Sequence, residues 1–335
     1  MNEVELPHDA PPEAVAPEYR DRSVGLILFG ILEIILGSLC CLMFVGVLVF
    51  AAMPSSVGVQ GMKPGMLLMA MSVYAFAGIG LIWLGIGSIL FKRWARALLL
   101  IMSSVWLAWG CVSLPFIGWS MMKTMSAVSF AGAGAGAGAG QAPRFETISL
   151  VVALVFLSVF FIVIPVALVL FYRSSHVKAT CDVRDPNPRW TDRCPLPVLA
   201  VPCLLVVSSA WIALFPFTGM AVIPLFGILM DGLPAGVMMF ALALGFLWIA
   251  RSWYRAQLKG WWILFTVVVL LGASNLITFT QVDLAELYQK MGYTQQLIDT
   301  IRSQGMMNGN FVVWMSLVWM VPALSYLFWV KRYFR

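Results

Sequence analysis

Residues 24–52 read VGLILFGILEIILGSLCCLMFVGVLVFAA and contain a single charged side chain, Glu33. This run is longer than the roughly 20 apolar residues that an α-helix needs to cross a bilayer, so it predicts a membrane-spanning helix. Seven further apolar runs follow, at 65–91, 97–121, 148–171, 196–217, 234–256, 261–280 and 311–330. The sequence therefore predicts an all-α polytopic membrane protein with about eight transmembrane helices.

The composition agrees with this class. Of the 335 residues, 61% are hydrophobic and 11% are charged, whereas soluble domains are about 25% charged. The mean hydropathy is +0.92, which excludes a water-soluble globular protein. The net charge of +6 is interpreted as a topology signal. We therefore expect the lipid bilayer as the surroundings and no nucleic-acid partner.

The basic residues lie mainly on one side of the predicted membrane. One set of alternate loops and ends carries 16 of the 21 Lys and Arg residues, and the other set carries Lys63, Lys123, Arg144, Lys290 and Arg302. Because cytoplasmic loops are enriched in Lys and Arg, this bias predicts that both termini are cytoplasmic and that the number of spans is even. Short loops and a compact layout favour the bacterial inner membrane.

Several short matches suggest an internal duplication. They are Asp21-Arg22 with Asp192-Arg193, Pro54 with Pro224, Pro64 with Pro234, and Pro165 with Pro322. Their common order predicts two tandem four-helix units, at 23–172 and 196–335. Because each unit has an even number of spans, the two units would be parallel and related by an axis along the membrane normal. The alternative is chance recurrence of Pro and Trp in an apolar chain.

The segments outside the predicted spans have distinct compositions. Residues 1–22 are acidic and Pro-rich and predict a disordered cytoplasmic tail, and the Ala-Gly run 131–140 predicts a flexible insert. Residues 173–195 predict a charged, ion-paired cytoplasmic linker. Apolar spacing in 282–304 predicts two amphipathic helices on the outer surface, and the apolar segment 218–234 is interpreted as a re-entrant or interfacial hairpin.

Polar residues inside the predicted spans are the candidates for a functional site. Glu33 and Asn275 are the intramembrane polar candidates, and an ionisable group in a span is expected to face the bundle interior. Four glycines at helical spacing predict close helix contacts, namely Gly30, Gly37, Gly78 and Gly85. Glu33 is interpreted either as a proton- or cation-linked site or as a protonated side chain that makes one interhelical hydrogen bond.

The linker contains three residues of types that bind metals, namely His176, Cys181 and Cys194. A structural zinc site normally has four ligands with tighter spacing, so they are weak candidates, and we predict no metal and no cofactor. No Walker loop, HExxH, GxSxG or pair of intramembrane Asp residues occurs in the sequence. We therefore expect that the protein is not an enzyme.

The leading functional expectation is a structural, assembly or accessory membrane protein that binds a membrane-protein partner or forms a homo-oligomer. The first alternative is a small-solute transporter or channel with a site between the two four-helix halves. The second alternative is a membrane sensor that uses the tail and the linker as its cytoplasmic readout.

Overall fold

The computed structural model describes residues 19–52, 64–133, 142–303 and 309–334. It is 85% helical. Within these ranges, eight helical segments are long and apolar enough to cross a membrane. They are Ser23–Val49, Gly65–Ile89, Arg93–Trp119, Ile148–Arg173, Leu196–Thr218, Gly232–Tyr254, Leu258–Gln281 and Val313–Tyr333. The predicted helical, multi-pass class is confirmed.

The described residues of the first half form five helices and one π-helical turn. They are α1 (Ser23–Ala52), α2 (Pro64–Ile89), α3 (Arg93–Ala133), α4 (Ala142–Ser158), the π turn Val159–Val163 and α5 (Ile164–Arg173). α3 includes the first three residues of the predicted Ala-Gly insert, and the rest of that insert lies outside the described residues.

The linker and the second half follow. The linker contains α6 (Ser175–Arg184) and a 3₁₀ turn at Trp190–Arg193. The second half contains α7 (Leu196–Ile212), α8 (Phe215–Thr218), β1 (Val222–Leu225), β2 (Ile228–Asp231), α9 (Gly232–Tyr254), α10 (Leu258–Gln281), α11 (Leu284–Lys290), α12 (Gln295–Ser303), α13 (Gly309–Val330) and a 3₁₀ turn at Lys331–Tyr333.

Neighbouring spans pair in the same order in both halves. α1 packs along α2, and α3 packs along α5, while α7 packs along α9 and α10 along α13. The halves meet where α2 contacts α8, and where Trp109 of α3 stacks on Trp319 of α13 with ring centroids 4.7 Å apart. The internal repeat itself stays a prediction.

Proline shapes two of these helix contacts. Pro165 has no N–H and cannot bind the carbonyl of Phe161, so the helix widens into the π turn there. A Cβ on Gly110 of α3 would lie 2.2 Å from that carbonyl oxygen, so only glycine permits this approach. In α7, Pro202 likewise frees the carbonyl of Val198, which accepts the indole N–H of Trp253 at 3.0 Å.

A β-hairpin departs from the predicted all-α class and gives the hairpin predicted at 218–234 a definite form. β1 and β2 are antiparallel, and Val222 pairs with Asp231. The turn residues Phe226 and Gly227 have φ values of 44° and 93°, as a two-residue type I′ turn requires. We call the end of the bundle that carries this hairpin and α11 the hairpin end.

Side chains of the helices fix the hairpin in place. The turn N–H groups of Phe226 and Gly227 donate to Ser274 Oγ and Thr278 Oγ1 of α10, each at 3.0 Å. Lys290 Nζ of α11 donates to the carbonyl of Leu229 at 2.9 Å. These bonds pair main-chain groups that would otherwise lack partners, so the hairpin is held to α10 and α11.

The opposite end, where α1 begins and α6 lies, is called the linker end. The α6 face formed by Val177, Thr180 and Cys181 is buried. The Arg22 N–H donates to Thr180 Oγ1 at 3.1 Å. Residues 19–22 of the predicted disordered tail are therefore placed against the linker, and residues 1–18 lie outside the described part of the chain.

Candidate functional site

Glu33 is the buried acidic residue of the first span. It lies ten residues after Ser23, the first residue of α1, which corresponds to about 15 Å along the helix axis. Its side chain is 0% exposed. Such a position is costly for an ionisable group in an apolar environment and marks a functional-site candidate.

Four glycines bring α1 and α2 close together on either side of Glu33. A Cβ on Gly30 would lie 2.8 Å from the Gly85 carbonyl oxygen, and a Cβ on Gly37 would lie 2.7 Å from that of Gly78. The two pairs are seven residues apart on each helix and run in opposite directions. This backbone approach covers Glu33, because a Cβ on Gly85 would lie 3.1 Å from the Cβ of Glu33.

The carboxyl group of Glu33 is unusual because neither of its oxygens has a hydrogen-bond partner among the described residues. Its electrostatic neighbour is the hydroxyl of Tyr172, at the end of α5. Tyr172 is itself 0% exposed. The acidic group therefore faces one buried phenol, and in the described residues no basic side chain interacts with it.

Tyr172 continues into a short chain of hydrogen bonds. Its hydroxyl lies 2.7 Å from Ser88 Oγ of α2, and Ser88 Oγ donates to the carbonyl of Leu26 of α1 at 3.0 Å. Ser88 is 1% exposed. We call Glu33, Tyr172 and Ser88 the Glu33 cluster. It connects α1, α2 and α5 by polar contacts inside an apolar bundle.

Sequence reasoning identified Glu33 but missed the other two members. Ser88 lies three residues after Gly85 and shares its helix face, so the spacing carried a signal for Ser88. Tyr172 follows Leu170 and Phe171 at the end of the stretch that begins at Pro165, one of the prolines matched between the two halves. Nothing in the local sequence of Tyr172 indicates that its hydroxyl reaches α2.

The linker end carries a cluster of ion pairs next to the Glu33 cluster. Arg93 Nε of α3 lies 2.9 Å from Asp182 of α6 and 3.3 Å from Asp192 in the following 3₁₀ turn. Cys181 lies between the two clusters and interacts electrostatically with Tyr172 and Arg96. Burial raises the pKa of the Cys181 thiol to about 11.

A second ion pair closes the linker. Arg189 binds Asp185 with two hydrogen bonds, of 3.0 Å from Nε and 2.7 Å from Nη2. Asp185 is 3% exposed, and its hydrogen bonds from Arg189 hold its pKa below the usual value. Bidentate pairs of this kind are the stronger charged hydrogen bonds, so they fix the linker turn.

The three weak metal candidates are not brought together as a ligand set. His176 Nδ1 accepts the Arg20 N–H at 3.4 Å, and Cys194 Sγ donates to the Tyr254 carbonyl at 3.0 Å. Cys181 is a buried free thiol. In the described ranges, no group of three or more His, Cys, Asp or Glu side chains is arranged to hold a metal ion.

Asn275 lies in the second half, in a different environment from Glu33. Its amide nitrogen donates to Ser316 Oγ of α13 at 3.1 Å. Where α1 and α2 meet α8, a cavity of about 290 Å³ is lined by apolar atoms of residues that include Phe44, Met69 and Phe217. The structure therefore places Glu33 and Asn275 on separate helix contacts and not in one polar site between the halves.

In the described part of the chain, eight helices are long and apolar enough to cross a membrane, and they define the class as a multi-pass integral membrane protein. Comparison of the chain with protein-family models, curated proteins and solved structures finds no match.

Proposed function

We propose that this chain is a non-catalytic integral membrane protein with a structural or assembly role, acting as an accessory subunit. One observation carries the proposal, namely the use of buried side-chain donors to join neighbouring helices. Trp253 donates to the Val198 carbonyl, Trp261 to that of Leu327 and Ser209 to that of Ala243. These bonds hold helices in fixed positions, as a rigid scaffold requires.

The Trp253 bond is matched to an unpaired carbonyl, because Pro202 leaves the Val198 carbonyl without its helical donor. Trp261 adds a side-chain donor to the Leu327 carbonyl near the end of α13. Trp253 and Trp261 are both 0% exposed. These buried indole bonds support a rigid second half.

We further propose that the linker end faces the cytoplasm, that the membrane is a bacterial inner membrane, and that the halves are tandem four-helix units. The distribution of Lys and Arg supports the orientation. The equal pairing order of the spans in the two halves supports the repeat.

The proposed docking surface is the hairpin end. Phe226, Ile228 and Leu233 are 50%, 66% and 82% exposed, although the hairpin that carries them is fixed by α10 and α11. A rigid segment with exposed apolar side chains binds a partner at little cost in conformational entropy. The proposed partner is another membrane protein, and a second copy of this chain is an outcome of the test.

The test is native mass spectrometry of the tagged full-length chain after extraction in mild detergent. We expect a protein partner that co-purifies in a fixed stoichiometry. Lys290→Ala should weaken its binding, because Lys290 holds the hairpin through the Leu229 carbonyl and lies 3.3 Å from Asp231. Lys259→Ala is the matched control, since Lys259 is exposed near the linker end. A chain that co-purifies with no protein, or a partner unaffected by Lys290→Ala, would overturn the docking proposal.

A second candidate is a small-solute carrier, and the buried, unpartnered carboxyl of Glu33 favours it. The expected result is that Glu33→Gln abolishes flux into liposomes containing the purified protein, whereas Asn275→Ala retains flux because Asn275 already has a partner in Ser316. Flux that is unchanged by Glu33→Gln would contradict the carrier.

A further inference from the structure

We propose that Glu33 is a proton-binding site, and that its bound proton sets the direction of the hydrogen bonds through Tyr172 and Ser88. The site does not depend on the accessory role proposed above, because it rests on the Glu33 cluster alone. The ligand is a proton delivered from water at the linker end.

The hydroxyl groups of Ser88 and Tyr172 can each donate one hydrogen. The Leu26 carbonyl only accepts, so Ser88 donates its single hydroxyl hydrogen to Leu26. As long as Ser88 donates to Leu26, the donor in the 2.7 Å contact between Ser88 and Tyr172 is Tyr172. Tyr172 has one hydroxyl hydrogen, so it presents only oxygen lone pairs to Glu33.

This arrangement suits a neutral carboxylic acid and opposes a carboxylate. A protonated Glu33 has an O–H group that can be directed at the phenolic oxygen of Tyr172. An ionised Glu33 would place its negative charge against those lone pairs, in a site where it is 0% exposed. Burial of an unpaired carboxylate is strongly unfavourable, so donation from Tyr172 to Ser88 and from Ser88 to Leu26 goes with the protonated form of Glu33.

Loss of the proton reverses the chain without moving a heavy atom. When Glu33 releases its proton to water, Tyr172 can turn its hydroxyl hydrogen towards the carboxylate. Ser88 then donates its hydrogen to Tyr172 and no longer to the Leu26 carbonyl. That carbonyl keeps its main-chain partner within α1. Each hydroxyl keeps its own covalent hydrogen, so the balance is one proton released by Glu33 and two hydroxyl rotations.

The polar groups nearest to Glu33 lie towards the linker end. On the side of α2, Glu33 lies at the glycine contact, where a Cβ on Gly85 would meet the Cβ of Glu33 at 3.1 Å and Ile34 at 2.9 Å. From α5 it meets Tyr172, the titratable group with which it interacts. Tyr172 interacts in turn with Cys181 of α6, and Cys181 with Arg96 and Asp182. This sequence of polar groups leads to the ion pairs at the linker end.

The test is infrared difference spectroscopy of the full-length chain in lipid nanodiscs over a range of pH. We expect a carboxylic-acid C=O band that Glu33→Gln removes and that Glu286→Gln leaves in place, since Glu286 is exposed on α11. Thermal unfolding confirms that each variant is folded. If wild type and Glu33→Gln give the same spectra at every pH, the proposal is refuted.

Two more variants test the direction of the hydrogen bonds. Tyr172→Phe removes the acceptor of the Glu33 proton, so the band should move to higher frequency. Ser88→Ala leaves the Tyr172 hydroxyl free to donate to the Glu33 carbonyl oxygen, so the band should move to lower frequency. An unchanged band in both variants would overturn the chain. Loss of the band on adding Na⁺ or K⁺ at constant pH would show that the ligand is a metal cation instead.

Discussion

The close contact between α1 and α2 predicts that alanine substitutions at two glycines of α2 differ in their effect on stability. A Cβ on Gly78 would lie 2.6 Å from Cys41 Sγ and 2.8 Å from the Gly37 carbonyl oxygen. A Cβ on Gly80, two residues later, would meet nothing within 4 Å. Gly78→Ala should therefore be less stable than Gly80→Ala.

The magnitude follows from two terms. Alanine is favoured over glycine in a helix interior by about 1 kcal/mol, and both variants gain this amount. Only Gly78→Ala inserts a methyl group into a filled contact, where overpacking typically costs about 1–3 kcal/mol. The Gly37 carbonyl belongs to the helix backbone and cannot rotate away. We therefore expect Gly78→Ala to be about 1–3 kcal/mol less stable than Gly80→Ala.

The assay is reversible unfolding of the purified chain in mixed micelles with increasing SDS, followed by circular dichroism. The free energies of unfolding of the two variants are compared under the same conditions, so the common propensity term cancels. Equal stability of the two variants, or a less stable Gly80→Ala, would refute the α1–α2 contact as described.

Three further predictions concern other parts of the chain. Trp261→Phe should lower the free energy of unfolding by about 1 kcal/mol, because it removes the hydrogen bond to a main-chain carbonyl. Trp262→Phe, at an exposed position, should lower the free energy of unfolding less. The reverse order would contradict the proposed bond. Arg189 lowers the pKa of Asp185 in the folded state. The ion pair therefore stabilises the folded protein at pH values above the ordinary aspartate pKa of about 4. This stabilisation is lost as the pH falls through the lowered pKa of Asp185 in the folded state. Wild type and Asp185→Asn should thus differ in melting temperature near neutral pH and converge in acid, and a difference independent of pH would count against the pair. Cys181 is buried and its pKa is raised to about 11, so it should react slowly with iodoacetamide at neutral pH until the protein is unfolded. Peptide mass spectrometry measures the extent of this alkylation. Rapid alkylation of Cys181 in the folded protein would contradict its burial.

The spans were predictable because their signal is local. An apolar run of about 20 residues satisfies its backbone hydrogen bonds within one helix, so no distant contact is needed to specify it. Glu33 was also a natural candidate, because any carboxyl group in such a run is costly unless it is buried or protonated. The glycine contacts needed only helical spacing to suggest one face.

The β-hairpin and the Glu33 cluster could not be read in the same way. The segment 218–234 is apolar apart from Thr218 and Asp231, and its hairpin turn is held by hydroxyls of α10 that lie about 50 residues further along the chain. Ser88 and Tyr172 are 84 residues apart in sequence. Their contact depends on how α2 and α5 pack, which no local pattern records.

The sequence by itself determined the membrane class, the approximate spans and the residue most costly to bury, because hydrophobicity and charge act within one helix length. Only the tertiary structure decided which donors meet which acceptors. Trp253 reaches the Val198 carbonyl freed by Pro202, and Tyr172 reaches Ser88 beside Glu33. Hydrogen bonds depend on distance and direction to within a fraction of an ångström, and that geometry exists only after the helices have packed.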